Sequence, residues 1–215
     1  SLWFALGILM IKNLFPTALG LYDYEKPMSK KELDFIENLE YVANTGNFIS
    51  VNKTLLDFPE MKKLKFFFNK CLAEYITKTI APPDSVRHYI THCWSNRTNL
   101  GENHHVHRHP NSIVSGVFYV KTVEERDFIT FEKSDAQMLV PICSSYNDYN
   151  GTHHDIQAVE RRLLLFPSSL IHGVKTLKGD FETRVSISFN TFMTGSIHSG
   201  IGDDNYINLP IVDYG

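Results

Sequence analysis

The sequence predicts a mainly β protein, an antiparallel barrel or sandwich buttressed by helices near its N-terminus. Two observations indicate this class. Apolar residues recur with a helical period of about 3.6 before Pro83 and with a strand period of about 2 after it. Helices therefore come first and many short strands follow, an order typical of separate α and β layers. No Gly/Ser-rich or Pro-rich linker interrupts the chain, so we expect one domain over 1–215.

Two helices are expected to support the barrel over 29–80. Ser29 and Glu32 form the S-x-x-E pattern of a capping box, followed by apolar residues at helical spacing, and they predict a helix over 29–43. A longer apolar stripe predicts a second helix over 59–80, which the following Pro-Pro pair ends. We expect the many aromatic residues of this stripe to pack in the core.

Strand-like segments define a predicted barrel over 87–190. The candidates are separated by turn residues and lie at 87–96, 112–120, 127–132, 138–142, 162–166 and 183–190. The polar stretch 144–157 is predicted to be a long loop, and loops of that length are usually functional or mobile.

The last predicted strand alternates between apolar and polar residues. Its odd positions are apolar and its even positions are polar: Val185, Ile187 and Phe189 against Arg184, Ser186, Ser188 and Asn190. A solvent-exposed sheet face would explain this pattern. We favour an apolar face that packs under the helices and a polar face that lines the barrel interior. An arginine inside a barrel requires an anionic partner, because an unpaired buried charge is costly.

Composition and charge restrict the function classes. The net charge of -3 shows no basic surplus, so nothing in the composition indicates nucleic-acid binding. The three cysteines are odd in number and widely spaced, which is typical of reduced thiols in a cytoplasmic protein. The apolar segment 1–9 is too short to span a bilayer, so no membrane association is expected; it is either a non-native extension or a short buried strand. A homodimer is compatible with the sequence.

Histidines carry the strongest chemical signal. Four imidazoles lie within 104–109, immediately before a predicted strand. Histidine is the commonest metal ligand in proteins, and residues two apart on an extended strand point to one face. His107 and His109 can therefore share one ion, and His172 is a third candidate. Arg184 and Ser186 follow twelve and fourteen residues later, so the set predicts a metal site beside an anion-binding group.

Three segments together resemble a family of 2-oxoglutarate- and Fe(II)-dependent oxygenases found in bacteria and phages. They are 107–120, which has the pattern H-x-H-P-x-S-x-x-S-G-V-x-Y-V, then 166–174 and 182–190. The resemblance extends from 14 to about 208. It implies a double-stranded β-helix, a jelly-roll barrel related to the cupins. It also implies Fe(II), 2-oxoglutarate as co-substrate, and O₂. The reaction would couple decarboxylation of 2-oxoglutarate to oxidation of a substrate, most often by hydroxylation. The family resemblance does not identify that substrate.

The resemblance also implies iron ligands. His107 and His172 occupy the positions of the family's two histidine ligands, and His109 stands where most relatives have a carboxylate. Compared with two histidines and a carboxylate, three neutral imidazoles leave the iron site more positive by one unit of charge. This extra charge favours a dianionic chelator. Other ligand sets stay open: two histidines with water, or a carboxylate supplied by another residue, for which the candidates are Glu102, Glu132 and Asp135.

Co-substrate contacts are implied at three further residues. Arg184 stands where relatives bind the far carboxylate of 2-oxoglutarate, and a guanidinium suits this role because it binds a carboxylate through two hydrogen bonds. Ser186 shares the face of Arg184 and can donate a hydroxyl to the same carboxylate. Tyr119 can donate to the co-substrate if the strand keeps the parity of the histidines.

Two other functions are considered. The first is a cupin-type metal enzyme, such as a three-histidine dioxygenase or an isomerase. The glutamate expected in the first cupin motif is absent, however, and cupins do not need Arg184 or Ser186. The second is a non-enzymatic barrel with a structural metal, in which a closed zinc site would be expected.

Overall fold

An eight-stranded and a four-stranded sheet form the centre of the computed structural model, which describes residues 11–134, 143–179, 181–197 and 207–210. The elements in chain order are β1 (Gly20–Asp23), α1 (Lys30–Glu37), β2 (Tyr41–Ala43), β3 (Phe48–Ser50), α2 (Lys62–Thr79), β4 (Val86–Thr98), β5 (His104–His107), β6 (Val114–Lys121), β7 (Phe128–Glu132), β8 (His153–Gln157), β9 (Arg162–Pro167), β10 (Ile171–Val174), β11 (Arg184–Ile197) and β12 (Ile207–Leu209).

The strands alternate between two sheets along the chain. The major sheet has the order β1-β9-β6-β11-β4-β3-β2, with β12 beside β11, and the minor sheet has the order β5-β10-β7-β8. From β4 to β11 the chain passes repeatedly from one sheet to the other, and the pairs within each sheet are antiparallel. This arrangement is a double-stranded β-helix, so the predicted fold class is confirmed.

The helices cover one face of the major sheet, as the alternation on β11 predicts. Ile187 and Phe189 are fully buried in a cluster with Leu64 and Phe68 of α2. The rings of Phe68 and Phe189 stack with their centroids 5.2 Å apart. Burial of each such side chain contributes about 1.5–3 kcal/mol, so this helix-to-sheet layer holds β11 in place. The opposite, polar face of β11 is then directed into the barrel.

The first helix is shorter than predicted. Its capping box forms, with Ser29 and Glu32 bonded reciprocally, but the helix ends at Glu37 rather than at residue 43. Tyr41–Ala43 is instead strand β2, paired with β3. The Tyr41 hydroxyl donates to Ser95 Oγ at 2.8 Å, and this tertiary contact overrides the helical period. The second helix is confirmed, although its first turn is a 3₁₀ helix, Pro59–Met61.

The barrel also departs from the prediction. Strand β8 lies in the segment 144–157 that was predicted to be a loop, and its polar, largely exposed residues carry no apolar pattern. The short strands β5 and β10 were not among the predicted strands. The predicted strand 138–142 and the segment 1–9 lie outside the described residues. None of the described helices is long and apolar enough to cross a membrane.

Candidate functional site

Three histidines meet at one end of the barrel. His107 ends β5 and stands directly opposite His172 of β10 in the minor sheet. His109 follows in the loop, where its backbone N–H donates to the Ser168 carbonyl at 3.0 Å. Nitrogen atoms of all three imidazoles lie within 4.8 Å of one another. The structure therefore brings together all three of the predicted metal-ligating residues.

Backbone carbonyls orient two of these imidazoles. His107 Nδ1 lies 2.7 Å from the His105 carbonyl oxygen, and His172 Nδ1 lies 2.9 Å from the Leu170 carbonyl oxygen. A carbonyl oxygen only accepts, so each Nδ1 carries the proton and each Nε2 presents a lone pair. Metal-binding histidines usually have this arrangement, in which the second ring nitrogen donates to a protein oxygen.

The spacing of the Nε2 atoms fits a shared ion. His109 Nε2 lies 3.3 Å from His172 Nε2, and the two rings are stacked with an interplanar angle of 3°. Two imidazole nitrogens that each bind one ion at about 2.0–2.1 Å are about 3.0–3.4 Å apart. The donor set and its spacing therefore suit a transition metal ion.

Side chains of the major sheet and its adjoining loops support His109. The Trp94 ring stacks on it, with centroids 6.0 Å apart, and the Asn190 side chain hydrogen-bonds to it. Asn190 Oδ1 in turn accepts from Ser115 Oγ at 3.2 Å. Ser115, Ser168 and Ser112 continue as a chain of hydroxyls with 2.8 Å contacts. These serines belong to the segments that carry the family resemblance, and their role here is to position the loop of His109.

The site histidines are neutral near pH 7. Burial lowers the pKa of His172 to about 3 and that of His109 to about 4. The neighbouring His104 also has a pKa lowered by burial, to about 3, and burial lowers the pKa of His107 as well. Neutral imidazoles are the form that binds metals. The histidines therefore need not lose a proton before they bind a metal ion near pH 7.

These pKa shifts predict that the metal-free protein loses stability in mild acid. Unfolded histidines have a pKa near 6.5 and take up protons as the pH falls, whereas the folded ones do so only near pH 3–4. The free energy of unfolding should be flat above about pH 7. It should then fall between about pH 6.5 and 4, by up to ~1.4 kcal/mol per pH unit for each such histidine.

Chemical denaturation of the metal-free protein at several pH values measures this loss. The matched control is His172→Phe, because a phenyl ring can retain the packing against Phe131 and Phe166. The free energy of unfolding of this variant should fall less steeply as the pH decreases, by the contribution of about one histidine. Equal slopes for the two proteins would contradict the pKa assignment.

A buried arginine lies at the other end of the same cavity. The walls of this cavity include His107, His109, His172, Arg184 and Ser186. Arg184 is only 3% exposed, and it takes part in none of the ion pairs among the described residues. Burial of a guanidinium without a counter-charge is costly in free energy. This arginine therefore indicates that the cavity binds an anionic ligand.

Unpartnered polar atoms surround this arginine. Arg184 pairs with Thr98 across the strands, and Ser186 pairs with Asn96 on one side and Tyr119 on the other. Three buried atoms of this group have no hydrogen-bond partner among the described residues: Arg184 Nε, Thr98 Oγ1 and Asn96 Oδ1. Buried polar groups are normally satisfied, so these atoms indicate a polar ligand. The guanidinium carbon also lies 5.2 Å from the Tyr119 ring centroid.

Two of the predicted alternative carboxylates, Glu102 and Glu132, do not join the three histidines. Glu102 accepts a hydrogen bond from the Asn99 backbone at 2.7 Å. Glu132 follows Phe131, which contacts His172 inside the barrel, so its side chain points to the opposite face. Asp135 lies outside the described residues. Within the part of the chain that the structure describes, the clusters of potential metal ligands contain histidines only.

Sequence reasoning missed several residues of the site. Trp94, Asn96 and Thr98 lie on β4 at alternate positions and share the inward face with Arg184 and its neighbours. Their period-2 spacing was a usable signal, but the predicted strand ended at 96. The support that Asn190 gives to His109 had no sequence signal, because it depends on contact between distant segments.

The sequence from 92 to 190 matches the family described as "Putative 2OG-Fe(II) oxygenase". This match and the fold support a 2OG/Fe(II)-dependent oxygenase. The matched region of this oxygenase contains β5 to β10 and all the predicted site residues. Iron and 2-oxoglutarate are therefore its cofactor and co-substrate. No curated protein sequence matches the chain.

Solved structures share the fold of this oxygenase at low identity. HygX from Streptomyces hygroscopicus, with nickel and 2-oxoglutarate bound, is 12% identical over 81% of this chain and 82% of its own, with a TM-score of 0.56. A prolyl-4-hydroxylase from Pseudomonas putida is 14% identical over 81% and 92%, with a TM-score of 0.53. The epimerase SnoN from nogalamycin biosynthesis is 12% identical over 85% and 82%, with a TM-score of 0.55. These likenesses show a shared fold.

Proposed function

We propose that this oxygenase is a hydroxylase whose iron is held by His107, His109 and His172. The observation that carries the proposal is one cavity with three converging imidazoles at one end and an uncompensated arginine at the other. A facial set of three protein ligands leaves open positions for co-substrate and O₂. When bound there, the iron would supply the activation of O₂ that is coupled to decarboxylation of 2-oxoglutarate.

The protein's own residues bind and orient the reactants. Three neutral imidazoles add no negative charge to a divalent ion, which favours a dianionic co-substrate. Arg184 and Ser186 suit its far carboxylate, and Tyr119 can donate a third hydrogen bond. Thr98 and Asn96 extend this polar group beyond the residues predicted from the sequence. Most of the cavity wall is buried, and a low local dielectric strengthens each of these electrostatic contacts.

A direct test uses the purified protein without any presumed substrate. Fe(II) and 2-oxoglutarate are added anaerobically, and the metal-to-ligand charge-transfer band is followed. Oxygen is then admitted and succinate is measured. We expect a saturable band and slow succinate formation, because such enzymes decarboxylate 2-oxoglutarate even when uncoupled. A protein that holds zinc tightly, shows no band and forms no succinate would favour a structural metal.

His109 is the least conventional of the three proposed ligands, and its replacement gives a specific expectation. His109→Ala should lower Fe(II) affinity by at least roughly tenfold, since even indirect partners of metal ligands contribute tenfold to a hundredfold. His109→Asp should retain iron because it restores the carboxylate found in most relatives. Equilibrium dialysis against Fe(II) measures both variants.

The matched control for His109 is His153→Ala, which removes an exposed histidine of β8. It should bind iron as the unaltered protein does. Unchanged affinity in His109→Ala would show that His109 is not a ligand of the metal.

A cytoplasmic location is supported by the cysteines. Cys71 and Cys93 are buried free thiols on different elements, α2 and β4. Burial raises the pKa of Cys71 to about 11, which keeps this thiol protonated and unreactive. Subcellular fractionation of the source cells tests this location.

A further inference from the structure

A second group of histidines lies immediately outside the iron site. His104, His105 and His107 all belong to β5, and one nitrogen of each lies within 4.8 Å of the other two. The ring centroids of the three pairs are 4.6, 4.8 and 5.3 Å apart. Adjacent residues on a regular strand would point to opposite faces. The close contact of these three rings is therefore a local feature of this strand.

An irregular register accounts for this contact. His107 pairs with His172 and His104 pairs with Val174, so three steps along β5 match two steps along β10. The extra residue turns His104 to the same side as His107, and both line the cavity. Bulges of this kind commonly redirect side chains next to active sites. His105 remains on the outside, where its ring is exposed to solvent.

The orientation of two rings suits metal binding. His105 Nδ1 lies 3.3 Å from the Thr45 carbonyl oxygen, and His107 Nδ1 lies 2.7 Å from the His105 carbonyl oxygen. As in the iron site, the Nδ1 atoms donate to carbonyls and the Nε2 atoms are left with lone pairs. An ion at about 2.0–2.1 Å from each nitrogen needs the rings to close by small rotations from their present spacing.

We propose that His104, His105 and His107 form a second metal site, for a zinc-like divalent cation, that competes with the iron site for His107. The two sites exclude each other because the Nδ1 of His107 is bonded to the His105 carbonyl, which leaves only Nε2 for a metal. The outer site is open to solvent through His105, whereas among the inner ligands His172 is buried and His107 and His109 are half-buried.

The donor set selects the kind of metal. Three imidazoles without a carboxylate suit zinc, copper or nickel, and these ions bind nitrogen sites more tightly than Fe(II) does. Zinc in the outer site would withdraw one of the three inner ligands. Excess zinc would then prevent iron loading even without entering the iron site, so the outer triad makes the oxygenase sensitive to the metal balance around it.

The test separates the outer site from the inner one. In the double variant His109→Ala/His172→Phe the inner site is removed, while the three outer histidines are untouched. Zinc alone is titrated into this protein by calorimetry, and Co(II) is titrated with optical detection of its d–d bands. We expect one equivalent to bind. Adding His105→Ala should weaken zinc binding by about tenfold or more. A tenfold loss of affinity corresponds to ~1.4 kcal/mol.

Two further proteins complete the design. Adding His153→Ala to the same double variant removes an exposed histidine of β8 and should leave zinc binding unchanged. His105→Ala alone should keep the Fe(II) and 2-oxoglutarate charge-transfer band, because the alanine retains the backbone carbonyl that orients His107. If the double variant fails to fold by circular dichroism, the single variant His172→Phe serves as the background for the same titrations.

The outcomes are distinct. No zinc binding by the background variant, or equal binding with and without His105, overturns the outer site and leaves the iron site unaffected. Equal weakening by His153→Ala and His105→Ala means unspecific binding to surface histidines, and it also overturns the proposal. Loss of the charge-transfer band in the unaltered protein would instead count against the iron site alone.

Discussion

Replacing His107 or His172 by alanine should abolish stoichiometric iron binding. The two residues face each other across β5 and β10, and each directs a lone pair on Nε2 into the cavity. Either substitution leaves the iron with only two imidazole ligands. Fe(II) binds nitrogen ligands more weakly than most divalent first-row metal ions do. We expect an affinity loss of at least roughly a hundredfold, equivalent to ~2.7 kcal/mol. Anaerobic dialysis against Fe(II), with metal analysis of the protein, measures the loss.

The control for this experiment is His153→Ala, which should retain one iron. The measurement must use iron rather than zinc for the His172 variant, because the outer triad proposed above stays complete there. One iron bound with unchanged affinity in both alanine variants would place the metal elsewhere in the molecule.

Replacing Arg184 by alanine should weaken 2-oxoglutarate binding by roughly a hundredfold or more, while iron binding survives. The guanidinium is buried in the cavity wall, and its Nε has no hydrogen-bond partner among the described residues. Breaking a buried charge pair costs about 3–5 kcal/mol, at ~1.4 kcal/mol per decade of affinity. The loss should therefore appear in co-substrate affinity and not in the metal site.

Arg184→Lys should give an intermediate affinity, because it keeps the charge but loses the two-pronged geometry. Both variants are measured by anaerobic titration of the Fe(II) protein with 2-oxoglutarate, following the charge-transfer band. Equal binding by Arg184→Ala and the unaltered protein would mean that the co-substrate carboxylate lies elsewhere in the barrel.

The residues predicted to form the site lie close together in the structure, whereas several of the predicted helix and strand bounds were wrong. The spacing of His107 and His109 predicted convergence on a strand; the two rings do converge, although His109 lies in the loop after β5. The alternation around Arg184 requires only one buried face. The family resemblance then placed His172 at the same end of the barrel. Short-range periodicity and a few distinctive residue types were sufficient for these predictions.

The errors arose where tertiary contacts outweigh local pattern. The segment Tyr41–Ala43 continues a helical period but forms a strand, because the Tyr41 ring packs against Arg97 and its hydroxyl bonds to Ser95. Strand β8 is polar and exposed, so it shows no apolar alternation to detect. The contact between Asn190 and His109 joins residues far apart in the chain, and a single sequence does not encode it in readable form.

The division of the site between the two sheets has a consequence for how ligands stabilise the barrel. The proposed iron ligands lie on or beside β5 and β10 of the minor sheet, whereas the proposed co-substrate residues lie on β4, β6 and β11 of the major sheet. Iron alone would thus bridge the two neighbouring strands β5 and β10. The co-substrate, bound to iron and to Arg184 at once, would act as a cross-link between the two walls. Amide exchange should then slow in two stages, first in β5 and β10 with metal and then in both sheets with 2-oxoglutarate, since each ligand stabilises only what it joins.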